Sequence, residues 1–478
     1  MTIVREQDTA RQIRQILPAG PTAPEPLARA LGVPVTCPVA CHRGGRGEQR
    51  LSLRRTLGRT IRAFVVLDLA AGAALAVFLV RGSGQPVVLP NPTGPYAVGR
   101  VSYDWVDPWR AEAFAPRETG ARASKREIMV WLWYPATPGP DASLGAYLPG
   151  QWGKVLERVR GPFLWQRFDS IRVHAVPEAP VSTAQPSYPV LIFSTGYGRL
   201  PTDYTVLAED LASHGYVVAG IANSYSAPVV VFPDGRVVKR IREAALPEAS
   251  PEAAKRAADR LVMVWAADVI FVMNQLENLN ADPTNPFNGR LDVTRIGVFG
   301  HALGGAAAAE VCSRDARAKA GLDIDGWLFG DVRKVGLKQP FMYIMSEPAA
   351  FPPLVPSVLR RFAERSEGAP VDVDRGIDSI YRNGEIQAGY HVTIRGARHF
   401  NFSDSAVLFS PIMKATGMLG PIEGARGLRI TSDYVRAFFD KYLSNVDSPL
   451  LAGPSSAYPE VSLDSRAGPP AVAPAAGN

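Results

Sequence analysis

The stretch Val298-Phe299-Gly300-His301-Ala302-Leu303-Gly304-Gly305 constrains this chain more than any other part of its 478 residues. Arg295–Phe299 reads as a short buried strand, and Gly304 to about Arg314 as a helix of small residues able to pack close against a sheet. Between them the chain has a handful of residues in which to change direction. Glycines stand at 300 and 304, and the position between them, at the apex of the turn, is Ala302.

Strand-to-helix units of this kind recur along the chain. Tyr96–Val106 and Ile128–Tyr134 alternate as an antiparallel pair opening a sheet, joined by an Arg/Glu-rich loop. Residues 144–180 mix aromatic and charged types, with helical pieces expected. Tyr188–Phe193 is a continuous apolar run ending in Ser194-Thr195-Gly196-Tyr197-Gly198, as expected of a buried parallel strand entering a glycine loop. Thr202–His214 carries a helical period stopped by Gly215, and Val217–Ile221 is the next strand. A hairpin of Val229–Phe232 and Val237–Lys239 turns at Pro233-Asp234-Gly235, and Ser250-Pro251-Glu252 opens a helix to about Leu279. Gly321–Ile324, Phe341–Met345 and Tyr390–Ile394 read as further strands, and Arg429–Tyr442 as a closing helix. This alternation predicts an α/β fold, a largely parallel central sheet flanked by helices on both faces. Residues 346–388 are too long and Pro-rich for a simple crossover and are read as a cap.

The net charge of +7 does not belong to this domain. Residues 1–62 hold 11 Arg against 4 acidic residues, which leaves 41 basic and 41 acidic residues in the remainder. No nucleic-acid partner is expected, since the Arg43-Gly-Gly-Arg46-Gly stretch has no aromatic interleaving. The basic segment leads into an apolar run, residues 63–80, ended by Arg81. Eighteen residues at ~1.5 Å each reach ~27 Å, close to a hydrocarbon core. With arginines on its leading side, the run reads as a transmembrane anchor, the main domain on the non-cytoplasmic side. Cleavage as a signal, with secretion of the domain, is the alternative. The segments are then 1–62, basic, disordered and cytoplasmic; 63–80, anchor or signal; 81–95, linker; 96–450, the main domain; and 451–478, a flexible tail rich in Pro, Ala, Gly and Ser. Cys37, Cys41 and Cys312 provide no disulfide framework. Cys37-x-x-x-Cys41-His42 is half a zinc pattern without a second pair, so neither metal nor cofactor is expected.

Gly-x-Ser-x-Gly at such a turn is the nucleophile signature of α/β-hydrolases, where an acid and then a histidine follow in chain order. With position 302 as the nucleophile position, Leu322-Asp323-Ile324-Asp325-Gly326 supplies the acid. By alternation the two Asp side chains share a face; Asp325, at the strand exit, is preferred over Asp323. His399 alone among six histidines follows a terminal strand within a loop. Oxyanion donors are expected from the backbone N–H groups of Leu303 and Tyr197.

Pro189–Gly198, Asp210–Val218, Gly300–Ala306, Leu322–Trp327 and Thr393–His399 together resemble the plasma-type platelet-activating-factor acetylhydrolases, with gaps, from about Gly94 to Leu443. Thr195 stands where that family usually has histidine. The resemblance implies an α/β-hydrolase that uses Ser, Asp and His without metal to cleave short or oxidised acyl chains from phospholipids. It puts those roles on position 302, Asp325 and His399, with oxyanion N–H groups at Tyr197 and Leu303. Bacterial polyester-cleaving and dienelactone-type hydrolases share this core, which leaves the ester open.

Alanine has no hydroxyl, so no acyl-enzyme forms at 302, and the chain as written is expected to be inactive. Two readings stand: a Ser-to-Ala form of a hydrolase, or a natural pseudoenzyme that binds an ester or lipid without turnover. A structural protein displayed on a membrane is a third class, which predicts no ester-lipid binding. The sequence is silent on oligomeric state.

Overall fold

The computed structural model describes residues 46–115, 125–161, 165–241, 251–347 and 388–467. The chain divides into two compact units, Met1–Gly72 and Ala73–Asn478. Helix α1, Arg46–Gly84, is the described part of the first unit and enters the second. Residues 46–62 are therefore helical from Arg46 on, where disorder was expected; Leu, Arg and Gln are good helix formers, and no proline interrupts them. Within α1, Phe64–Gly84 is long and apolar enough to cross a membrane, with a mean hydropathy of 2.1. Cys37, Cys41 and His42 fall outside the described residues, as does nearly all of the expected cap.

Among the described residues the second unit is built on a ten-stranded sheet. Its nine longer strands are β1 (Ala97–Ala111), β2 (Lys125–Ala136), β3 (Tyr188–Ser194), β4 (Val217–Ala222), β5 (Leu291–His301), β6 (Ala318–Ile324), β7 (Phe341–Ser346), β8 (Ala388–Ile394) and β9 (Val461–Ala467). Their order is β9-β8-β7-β6-β5-β3-β4-β2-β1, with Val176–Pro177 added beside β1. β3 to β8 run parallel, while β2 and β9 pair antiparallel with their neighbours.

Strand β3 explains why its sequence lacks a polar face: all seven of its residues are buried. Leu191 and Phe193 face a core that includes Leu207 and Leu211 of helix α3 (Thr205–Ser213) and Phe438 and Phe439 of helix α6 (Gly424–Ser444). Val190 and Ile192 face the other, with Val269 and Met273 of helix α4 (Pro251–Ala281) and Ala308 and Val311 of helix α5 (Leu303–Arg314). The expected helical pieces in 144–180 are led by helix α2 (Trp152–Arg160), and the expected hairpin pairs Val229–Val231 with Val237–Lys239.

Two expectations about the ends give way to packing. Residues 81–95 are attached to the domain instead of spanning as a linker: Leu89 is buried, Val87 pairs with Ile171, and the Thr93 N–H donates to Asp210 at 2.9 Å. The part of the tail that is described, up to Ala467, includes a strand, because Val461 and Leu463 pair with Ile394 and Val392 and close the exposed edge of β8. Period-two alternation over a few residues was hidden there by the Pro/Ala-rich surroundings.

Candidate active site

The parallel strands end at one edge, where open α/β sheets place their ligands. Strand β5 runs out at His301, and α5 begins at Leu303, so the chain reverses on Ala302 alone. That residue has φ 55° and ψ −123°, a conformation that residues with a Cβ rarely adopt. The glycines on either side allow it. A Cβ at Gly300 would overlap the backbone of Gly304, and one at Gly304 would overlap the Ser194 carbonyl, so strand end, helix start and the loop after β3 lie in contact. The Ala302 N–H donates to the Ile324 carbonyl (2.8 Å), which ties the turn to the end of β6.

Asp325 is the residue after β6. Its own φ of 52° takes it off the strand, which separates it from Asp323 despite their equal parity. Asp323 is buried against α5, where a Cβ on Gly305 would overlap its carboxylate. The Asp325 Oδ1 accepts the N–H (2.9 Å) and hydroxyl (2.8 Å) of Ser346, at the end of β7, and Oδ2 lies 2.8 Å from His399 Nδ1. His399 opens a single 3-10 turn, His399–Phe402, after β8. Both members of the pair are buried. With Nδ1–H donated to the carboxylate, the neutral ring keeps its lone pair on Nε2, the nitrogen facing away from Asp325.

His301 joins these parts. Its Nε2 lies 3.0 Å from the His399 carbonyl, which can only accept, so Nε2 carries the proton. Its Nδ1, 2.8 Å from the Tyr204 hydroxyl, must then accept from it. Burial pushes His301 well below the ordinary imidazole pKa, and the neighbouring His399 acts in the same direction, so the ring is neutral as this bonding requires. The two imidazoles lie 4.4 Å apart, with Phe400 5.0 Å and Trp327 6.4 Å from His399.

Of the expected oxyanion donors, Leu303 is the first residue of α5, where helical N–H groups have no partner within the helix. Tyr197 follows Gly196, at which a Cβ would stand 3.6 Å from that of Ala302. The structure thus gathers Ala302, Leu303, the Tyr197 loop, Asp325 and His399 at one place. His174 and His214 lie elsewhere, on Leu89 and Thr93. Ser346 and Tyr204 were missed by sequence reasoning; for Ser346 the available signal was a polar residue ending the strand beside the acid. Chemically, the arrangement offers a proton acceptor fixed by a carboxylate, next to a turn that presents one side chain.

Residues 82–239 and 265–449 match the family described as platelet-activating factor acetylhydrolase, isoform II. A probable 1-alkyl-2-acetylglycerophosphocholine esterase of Arthroderma benhamiae is 28% identical, over 57% of this chain and 65% of its own length. The platelet-activating factor acetylhydrolase of Bos taurus is 26% identical, over 63% of this chain and 66% of its own. The chain therefore spans about two thirds of the length of these relatives. Among solved structures, a ferulic acid esterase from Streptomyces cinnamoneus is 28% identical, with a TM-score of 0.60 over 80% of this chain and 99% of that one.

Proposed function

The chain belongs to the family of platelet-activating factor acetylhydrolase, isoform II, and from that premise we propose that its site is built to hydrolyse carboxylic esters, namely short-chain acyl esters or phospholipids. The observation that carries this reading is the buried Asp325–His399 pair at 2.8 Å beside the strained turn at Ala302. With a hydroxyl at position 302, His399 Nε2 takes its proton as the oxygen attacks the ester carbonyl, and later returns that proton to the leaving alcohol. Asp325, itself fixed by Ser346, holds the tautomer this requires. The N–H groups of Leu303 and Tyr197 receive the oxyanion.

Alanine at 302 removes the first step, so the chain as written is inert by this route and retains the capacity to bind. Geometry that serves a hydroxyl, namely the strained apex and the oriented histidine, favours a silenced hydrolase over a domain long used for binding alone. The apolar stretch 63–80 is read as its membrane anchor, with the domain on the non-cytoplasmic side.

Ala302→Ser is expected to raise hydrolysis of a short-chain nitrophenyl ester at least ~10³-fold over the alanine chain. A folded serine variant that stays silent on short acyl esters, acyl phospholipids and polyesters would overturn the hydrolase reading. Stabilisation of the parent chain by ester lipids would then favour the binding one.

A further inference from the structure

Gln166 joins the end of helix α1 to the segment that carries His399. Its Nε2 donates to the carbonyls of Ser83 (3.2 Å) and Gln85 (2.7 Å), and its Oε1 accepts the Phe409 N–H (3.1 Å). Backbone bonds run beside it, from the Arg167 N–H to the Ser83 carbonyl (2.8 Å) and from the Gln166 N–H to the Phe409 carbonyl (2.9 Å). Gln166 is 3% exposed, so these bonds are sheltered from water. The Phe409 ring packs 5.9 Å from Phe78 and closes over Gly82, where a Cβ would meet it. Phe409 follows His399 across two short 3-10 turns, His399–Phe402 and Asp404–Ala406. Asp404 accepts the N–H groups of Thr205 (2.9 Å) and Val206 (3.2 Å), which secures the second turn on α3.

We propose that this clamp seats the His399 segment in the headgroup layer of a bilayer, so that the site takes its ester lipid from the membrane and not from water. The proposal rests on the anchor and ester readings above. Arg81 ends the apolar run, and Ser83 follows it after ~3 Å of helix rise, whereas the headgroup layer is ~5–7 Å deep on each side. Groups bonded to Ser83 and Gln85 therefore fall within that layer. Phe78 lies ~4.5 Å in the other direction, which puts the Phe409 ring at the hydrocarbon edge. Around them are the residue types that favour such an interface: half-buried Trp165, with Arg160 5.6 Å over its ring, and exposed Arg167. A flexible tether would leave this face free to turn away from the bilayer. Here the exit of the helix and the histidine segment are bonded through one buried amide.

The test uses the full chain in phosphatidylcholine vesicles, with Cys37→Ser and Cys41→Ser. A spin label is placed at Leu408→Cys or, as a reference, at Thr284→Cys in the loop before β5, at the opposite end of the parallel strands. The expected result is an oxygen-to-nickel-chelate accessibility ratio several-fold higher at 408 than at 284, with the difference reduced by Gln166→Ala. Equal ratios at the two positions overturn the proposal. In the Ala302→Ser background, Gln166→Ala is expected to lower turnover of vesicle-borne ester lipid by about tenfold while a soluble nitrophenyl ester changes less than about twofold. Equal loss on both substrates also overturns it. If Ala302→Ser hydrolyses neither, the ester reading falls, and the label ratios still decide where the His399 segment lies.

Discussion

The apex of the turn after β5 stores strain that a single substitution can expose. Ala302 holds φ 55° and ψ −123°, a region that costs a residue with a Cβ roughly 1–3 kcal/mol. Ala302→Gly removes that cost. Against it stand the buried methyl, about 0.8 kcal/mol, and the added freedom of glycine in the unfolded chain, about 0.4–1 kcal/mol. The terms largely offset one another, so Ala302→Gly is expected to lie between a loss of about 1 kcal/mol and a gain of about 2 kcal/mol. Ala308→Gly is the control: it is also buried, in the middle of α5, with an ordinary helical backbone. There the methyl and the helix preference add instead of cancelling, for a loss near 2 kcal/mol. Denaturant unfolding of the full chain in detergent, followed by near-ultraviolet circular dichroism, compares the two directly. If Ala302→Gly costs as much as Ala308→Gly, the apex is unstrained and the argument that it is shaped to present a side chain fails.

His301→Phe keeps an aromatic ring between Tyr204 and His399 but removes the acceptor of the Tyr204 O–H and the donor to the His399 carbonyl, both buried. A loss of about 1–3 kcal/mol in the same unfolding assay is expected, and no loss would show the two bonds to be incidental. Burial pushes the Asp404 carboxyl up to about 8, against an ordinary value near 3.8. Between these values the folded chain binds one proton more than the unfolded chain, so this group makes stability fall as pH rises from about 4 to about 8. Asp404→Asn, whose single amide oxygen keeps one of the two N–H bonds from Thr205 and Val206, should flatten that part of the stability–pH curve whatever it costs in overall stability; an unchanged slope would refute the assignment.

How far the sequence could be read depended on whether each feature is local. Tyr188–Phe193 announces a strand buried on both faces because six adjacent residues share one environment. Gly300 announces the turn because its neighbours in space, Gly304 and Gly305, are also its neighbours in sequence. Chain order then sufficed to place Asp325 and His399 near it. The preference for Asp325 over Asp323 rested on the strand exit, and the positive φ that separates the two carboxylates leaves no mark in the residue names. Ser346 and Tyr204 act across the fold, on Asp325 and His301, and no periodicity signals such partners. The start of α1 and the β9 strand were obscured by composition: a charge run and a Pro/Ala-rich tail each held a short, ordinary element.

Strand β9 has a consequence for how the molecule is made. The strand beside His399, β8, finds its second neighbour in Val461–Ala467, which leaves the ribosome after every other described strand. Until then β8 offers a row of open backbone groups and the side chains of Tyr390, Val392 and Ile394 to any other nascent chain. Once docked, β9 turns Ser462, Asp464 and Arg466 outward on the new edge, a poor template for further pairing. The last described strand to emerge therefore acts as a seal. A chain shortened by a few residues before Val461 would keep every part of its site and lose its protection against self-association.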